Sequence, residues 1–138
     1  MKKKLNCILL IEDDKATNFI HQRIIKRVDC AEKVVTALNG LEALEYLNKE
    51  EDGVLPQPDL IFLDINMPGM NGWEFLEEYQ KLHNDKKGKV ILVMLTTSLN
   101  PDDFEKASQI PEVNGFKNKP LTMPLLESIL EEYFQDHF

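Results

Sequence analysis

Along the chain, short runs of consecutive apolar residues alternate with stretches whose apolar positions recur every three or four residues. An unbroken apolar run bounded by turn residues predicts a strand covered on both faces, as in parallel sheets; the longer period predicts an amphipathic helix. Strands are expected at Leu5 to Ile11, Lys33 to Ala37, Leu60 to Asp64, Lys89 to Thr96 and Val113 to Lys117. The first helix is expected from about Lys15 to Val28, burying Ile20, Ile24 and Val28, and the second from about Leu41 to Lys49, burying Leu41, Leu44 and Leu47. The third begins at Asn71 or Gly72 and presents Phe75, Leu76, Tyr79 and Leu82. A fourth runs from about Pro101 to Ser108, and a fifth, capped by Thr122, carries Leu125, Leu126, Ile129, Leu130, Tyr133 and Phe134. Strands alternating with helices predict an α/β fold, an open parallel sheet covered on both faces through right-handed crossovers.

Turn residues punctuate this pattern. Asn39-Gly40 ends the second strand, and Asn100-Pro101-Asp102-Asp103 combines a capping side chain, a proline at the first helical position and acids in the first turn. Glu50 to Pro58, with Gly53, Pro56 and Pro58, is expected to be a surface loop, longer than the usual connection. With no internal repeat or low-complexity tract, residues 1–138 are expected to form one domain without an output domain.

Composition narrows the function. A formal net charge of −8 argues against a nucleic-acid or anionic-membrane surface. Lys2-Lys3-Lys4 precedes only seven largely apolar residues before Glu12-Asp13-Asp14, too few for a signal peptide or a membrane span, so a cytoplasmic location is expected. Cys7 and Cys30 form no CxxC motif and read as buried or half-buried thiols. His21, His83 and His137 lack ligand spacing and are expected at the surface.

The candidate chemistry lies at the strand ends. In an open parallel sheet the ligand crevice sits at the carboxyl ends of the strands. There the predicted topology gathers Glu12-Asp13-Asp14, Asp64, Thr96-Thr97 and Lys119. A cap or turn role explains any one of these groups, but not all four at one edge. Two carboxylates about 4 Å apart repel by roughly 4 kcal/mol at a surface-like dielectric, so the cluster needs a cation or a proton. Oxygen-only ligands suit Mg²⁺. A lysine and a hydroxyl facing that cluster are what a phosphoryl group needs, with Asp64 as nucleophile.

These residues resemble the receiver domain of two-component response regulators across essentially the whole chain. The resemblance rests on Ile8-Leu9-Leu10-Ile11-Glu12-Asp13-Asp14, Leu63-Asp64-Ile65-Asn66-Met67-Pro68-Gly69-Met70-Asn71-Gly72, Leu95-Thr96-Thr97 and Asn118-Lys119-Pro120-Leu121. It implies a flavodoxin-like, doubly wound (βα)5 three-layer sandwich with strand order 2-1-3-4-5. It implies Asp64 as phosphoacceptor, and Mg²⁺ held by Asp13, Glu12, Asp64 and the backbone carbonyl of Asn66. Thr96 matches the switch hydroxyl, Lys119 the lysine of the pattern, and Phe116 the aromatic that moves with the switch. The bond before Pro120 is expected to be cis. Asn66 and Ser98 match positions that tune phosphoryl lifetime. Asp14 falls one place beyond the acidic pair and is expected to cap the first helix, while Thr97, larger than the small residue many relatives carry, is expected to crowd the site slightly.

The expected function is a stand-alone, chemotaxis-regulator-like receiver. It takes a phosphoryl group from a histidine kinase or histidine phosphotransfer protein and switches its helix 4, strand 5 and helix 5 surface toward a downstream protein target or a phosphorelay. The protein is expected to be a monomer or weak dimer and not an enzyme beyond its own phosphorylation and dephosphorylation. Two alternatives stand beside it. One is a binding module of the same fold that works without phosphorylation, against which the complete acid, hydroxyl and lysine set argues. The other is a small Mg²⁺-dependent phosphatase, against which Asp64-Ile65-Asn66 argues by lacking a second acid two residues on.

Overall fold

The computed structural model describes residues 3–82 and 90–135. Strands β1 (Ile8–Ile11), β2 (Val34–Ala37), β3 (Leu60–Leu63), β4 (Ile91–Thr96) and β5 (Gly115–Asn118) alternate with helices α1 (Lys15–Val28), α2 (Gly40–Leu47), α3 (Gly72–Tyr79), α4 (Pro101–Ser108) and α5 (Met123–Tyr133). All pairings are parallel, in the order β2-β1-β3-β4-β5, the flavodoxin-like arrangement.

Alternation along the strands divides the core into two layers. Leu9 and Ile11 of β1, Ile61 and Leu63 of β3, and Leu92 and Met94 of β4 pack against α2, α3 and α4 through Ala43, Leu47, Phe75, Leu76, Tyr79 and Ala107. Ile8, Leu10, Leu60, Phe62, Val93 and Leu95 face the other way, against Ile25 of α1 and Leu126, Ile129 and Leu130 of α5. Each fully buried side chain of this size contributes about 1.5–3 kcal/mol. The central strands β1 and β3, buried at every position, are therefore anchored from both sides.

Each helix starts at a side chain able to accept from its first free N–H groups. Asp14 caps α1, Asn39 caps α2, Asn100 caps α4 and Thr122 caps α5. Asn71 caps α3 in a reciprocal box: its side chain accepts from Glu74 N–H at 2.9 Å, and Glu74 accepts from Asn71 N–H at 3.0 Å.

Several expectations are corrected. Leu5 joins the sheet only through a single bridge to Ala31, so β1 starts at Ile8. β3 ends at Leu63 and leaves Asp64 just beyond it; β5 starts at Gly115 rather than Val113. The inner face of α1 is Asn18, His21 and Ile25, with Ile20 exposed, because the helix is turned about one residue from the predicted stripe. Likewise α2 buries Gly40, Ala43 and Leu47 and exposes Leu41. Gly40 lies so close to Met70 that a Cβ there would meet that side chain at 2.8 Å. His21 is 2% exposed, not a surface residue. The Glu50 to Pro58 loop contains a tight antiparallel turn, in which Glu51 and Val54 exchange N–H···O bonds of 3.0 Å around Asp52 and Gly53, both at positive φ. Lys89, His83 and His137 lie outside the described residues.

Candidate functional site

The sheet register brings the predicted residues together. Ile11 pairs with Leu63, so the next residue on each strand, Glu12 and Asp64, emerges at the same edge. Their backbones stay tied to the sheet: Glu12 N–H donates to Ala37 O at 3.0 Å, and Asp64 N–H to Ile11 O at 3.1 Å. One carboxylate oxygen from each of Glu12, Asp13 and Asp64 lies within 4.8 Å of the others. Glu12 and Asp64 are buried, and Asp13 is half-buried. On the next strands Thr96 pairs with Asn118, which delivers Lys119 to the same edge. Its Nζ bonds Glu12 Oε1 and stands 3.3 Å from Asp64 Oδ2.

Three carboxylates face one ammonium here. Burial, then the nearby Asp64 charge, push the Glu12 carboxyl up, against the hydrogen bonds from Lys119 and from Asp14 N–H. Burial alone would lower Lys119, but the bond to Glu12 and the attraction of Asp64 outweigh it and raise its pKa. Lys119 is therefore a cation, and surplus negative charge remains. Oxygen donors carrying that surplus suit a hard divalent cation such as Mg²⁺ or Mn²⁺.

The loops around this edge are held tightly. Asp64 continues into a turn where Gly69 takes a φ of 76°, a left-handed conformation that favours glycine. Gly72 starts α3 so close underneath that a Cβ would lie 2.5 Å from Asp64 O and 2.9 Å from Ile65 Cα. Asn66 is exposed at the rim, and Met67 is buried. Thr96 is fully buried, and its Oγ1 accepts from Ser98 N–H at 3.1 Å. Ser98 Oγ donates to Asp103 Oδ2 at 2.5 Å, and Asn118 Nδ2 donates to Ser98 O at 3.0 Å, which ties the β4–α4 turn to the residue preceding Lys119. The Lys119–Pro120 bond is cis. Phe116 is half-buried and meets Phe104 edge-on at 5.6 Å.

Asp14 stands outside the cluster: it caps α1, accepting from Ala16 N–H and from the Thr17 hydroxyl. Thr97 is exposed. Two residues that periodicity did not single out lie directly behind the site. Asn18 Nδ2 donates to Glu12 O at 2.8 Å, and His21 Nε2 accepts from Leu121 N–H at 3.3 Å. Burial and the Lys119 charge push the His21 imidazole down to about 4. The signal for both was their three-residue spacing ahead of Ile25, masked by the neighbouring Ile20, Ile24 and Val28 stripe.

A family model, the response regulator receiver domain, matches residues 8–131. A two-component response regulator from Cytophaga hutchinsonii superposes with a TM-score of 0.87 at 33% identity, covering 96% of this chain and 99% of that one. Response regulator Rcp1 of Synechocystis is 36% identical over 81% of this chain and 75% of its own length. A Mn²⁺-bound form of a response regulator Rcp1 has a TM-score of 0.74 at 29% identity, covering 96% of each chain. The phosphorylated cyanobacterial phytochrome response regulator RcpA has a TM-score of 0.77 at 30% identity, again covering 96% of each chain. The chain belongs to the response regulator receiver domain family of two-component signalling.

Proposed function

We propose that this receiver domain takes a phosphoryl group onto Asp64 from the phosphohistidine of a partner kinase or phosphotransfer protein, with Mg²⁺ as cofactor. One observation carries the reading: Lys119 Nζ stands 3.3 Å from Asp64 Oδ2 beside an oxygen cluster made by Glu12, Asp13 and that same carboxylate. Glu12, Asp13 and Asp64, joined by the Asn66 backbone carbonyl, would hold the ion. When bound, it neutralises charge on the donor's phosphoryl oxygens. The Mn²⁺-bound Rcp1 and phosphorylated RcpA structures support both halves of the proposal.

In the transfer, one Asp64 carboxylate oxygen attacks phosphorus and forms an O–P bond. The N–P bond breaks, its electron pair returns to the ring nitrogen, and the imidazole leaves neutral when its other nitrogen is protonated. Lys119 bonds a phosphoryl oxygen, and the Thr96 hydroxyl donates to another. A movement of Thr96 toward it would draw Oγ1 from Ser98 N–H and loosen the β4–α4 turn. The phosphoryl group, which raises the charge at Asp64 from one negative unit to nearly two, thereby shifts a pre-existing equilibrium at Phe116 and at the α4, β5 and α5 surface toward a protein target.

The test is intact mass after incubation with acetyl phosphate, with and without Mg²⁺, beside Asp64→Asn. The expected result is one phosphoryl group added to the parent only, and only with Mg²⁺. No addition from acetyl phosphate or from a panel of histidine kinases, together with no Mg²⁺ binding by titration, would refute the reading.

A further inference from the structure

We infer that Asn18 and His21 are positioning residues, a polar bracket on the inner face of α1 that braces the site from behind. Asn18 holds the strand end carrying Glu12, and His21 holds the turn carrying Lys119. The inference rests on the phosphoacceptor reading of Asp64.

The two residues are three apart on one helix, so their side chains lie side by side, roughly 5–6 Å between Cβ atoms. Both are buried. Asn18 Nδ2 reaches Glu12 O at 2.8 Å, across the junction between β1 and α1. His21 Nε2 takes Leu121 N–H at 3.3 Å, which requires that nitrogen to carry no proton. Pro120 has no N–H, so the turn is fastened on either side of it to different elements. Lys119 N–H donates to Thr96 O on β4 at 2.9 Å, and Leu121 N–H to His21 on α1. One helix face thus fixes the backbones on both sides of the Glu12–Lys119 ion pair.

Packing alone does not account for this face. Ile25 continues it one turn later with an apolar side chain. At positions 18 and 21 the chain instead carries two polar side chains, and Asn18 Oδ1 is buried without a partner among the described residues. Such an atom costs stability, which an apolar residue would avoid. The return is a fixed distance between the acid that reaches the metal and the lysine that reaches the phosphoryl group. Keeping a neutral imidazole there leaves Lys119 without a competing cation for Glu12 and Asp64.

The bracket predicts a split between two measurements. His21→Met keeps the bulk and loses the acceptor. Phosphorylation by acetyl phosphate at saturating Mg²⁺ should slow on the order of tenfold or more, as misplaced catalytic groups do, with Mg²⁺ affinity unchanged. His21→Gln, whose amide oxygen can accept from Leu121 N–H, should recover most of the rate. Asn18→Leu should instead weaken Mg²⁺ binding by about tenfold, the size of effect that outer groups have on a metal site. In the unmodified protein, ¹⁵N shifts should report His21 as the Nδ1–H tautomer, and the Leu121 amide should exchange slowly. An Nε2–H tautomer, a His21→Met variant phosphorylated at the parent rate, or variants that lower both parameters together would overturn the bracket. A parent that takes up no phosphoryl group counts against the function proposal and not against the bracket. The tautomer, the Leu121 exchange and the Asn18→Leu affinity still decide the bracket.

Discussion

Asp64→Asn is expected to stabilise the metal-free protein. One Asp64 carboxylate oxygen lies within 4.8 Å of one oxygen from each of Glu12 and Asp13, and Asp64 Oδ2 stands 3.3 Å from Lys119 Nζ. At an effective dielectric of 20, each repulsion amounts to about 3.5 kcal/mol and the attraction to about 5 kcal/mol. Two repulsions exceed one attraction by about 2 kcal/mol, so removing the charge releases strain of that order. Asparagine keeps an oxygen to accept from Lys119, which limits what is lost. Urea unfolding in the presence of EDTA should therefore give a higher midpoint for the variant at an unchanged slope. Adding Mg²⁺ should narrow the gap. Ligand at ten times its dissociation constant stabilises the parent by about 1.4 kcal/mol, while the variant, short of one anionic ligand, gains less. A variant no more stable than the parent in EDTA would refute the surplus-charge account of the site.

Three further outcomes follow from the geometry. Gly72→Ala drives a Cβ into the Asp64 carbonyl and the Ile65 Cα, both backbone, and should cost about 1–3 kcal/mol in urea unfolding; a near-neutral variant would mean that α3 can retreat freely. Asn71→Ala removes the α3 capping box and should cost about 1 kcal/mol by thermal or urea unfolding, without altering the fold by circular dichroism. His21 is held near 4 when folded but takes its proton near pH 6.5 when unfolded, so between those values the unfolded chain binds more protons and stability falls as pH falls. The loss should approach about 3 kcal/mol by pH 4, and His21→Gln should remove that part of the slope; parallel parent and variant profiles would contradict it.

Much of the architecture was legible because the decisive signals are local. α1 and α4 begin and end where predicted, since Asp14 and Asn100-Pro101 announce their caps within one turn. β1 and β3 were recognisable as unbroken apolar runs, and their common register is what joins Glu12 to Asp64. The rotation of α1 and α2 was not legible. In α2 two apolar stripes lie a residue apart, in α1 the buried face is largely polar beside an apolar one, and the contacts that choose between faces come from elsewhere in the chain. Gly40 against Met70 decides for α2. For α1, His21 goes inside because Leu121, 100 residues on, offers it an N–H. The bond from Ser98 to Asp103 spans only five residues, yet it depends on how the β4–α4 turn folds back, which residue types alone do not specify.

The division of the core by the sheet bears on how such a chain can change over generations. A volume change at Leu9 must be absorbed by the layer containing α2, α3 and α4, whereas one at Leu10 falls to α1 and α5. Each compartment can be rebuilt by compensating substitutions without consulting the other. The rim where Glu12 and Asp64 emerge has no such freedom, because its strands are gripped from both sides. Sequence drift inside should therefore come in two independent sets of covarying positions, with the acidic rim belonging to neither.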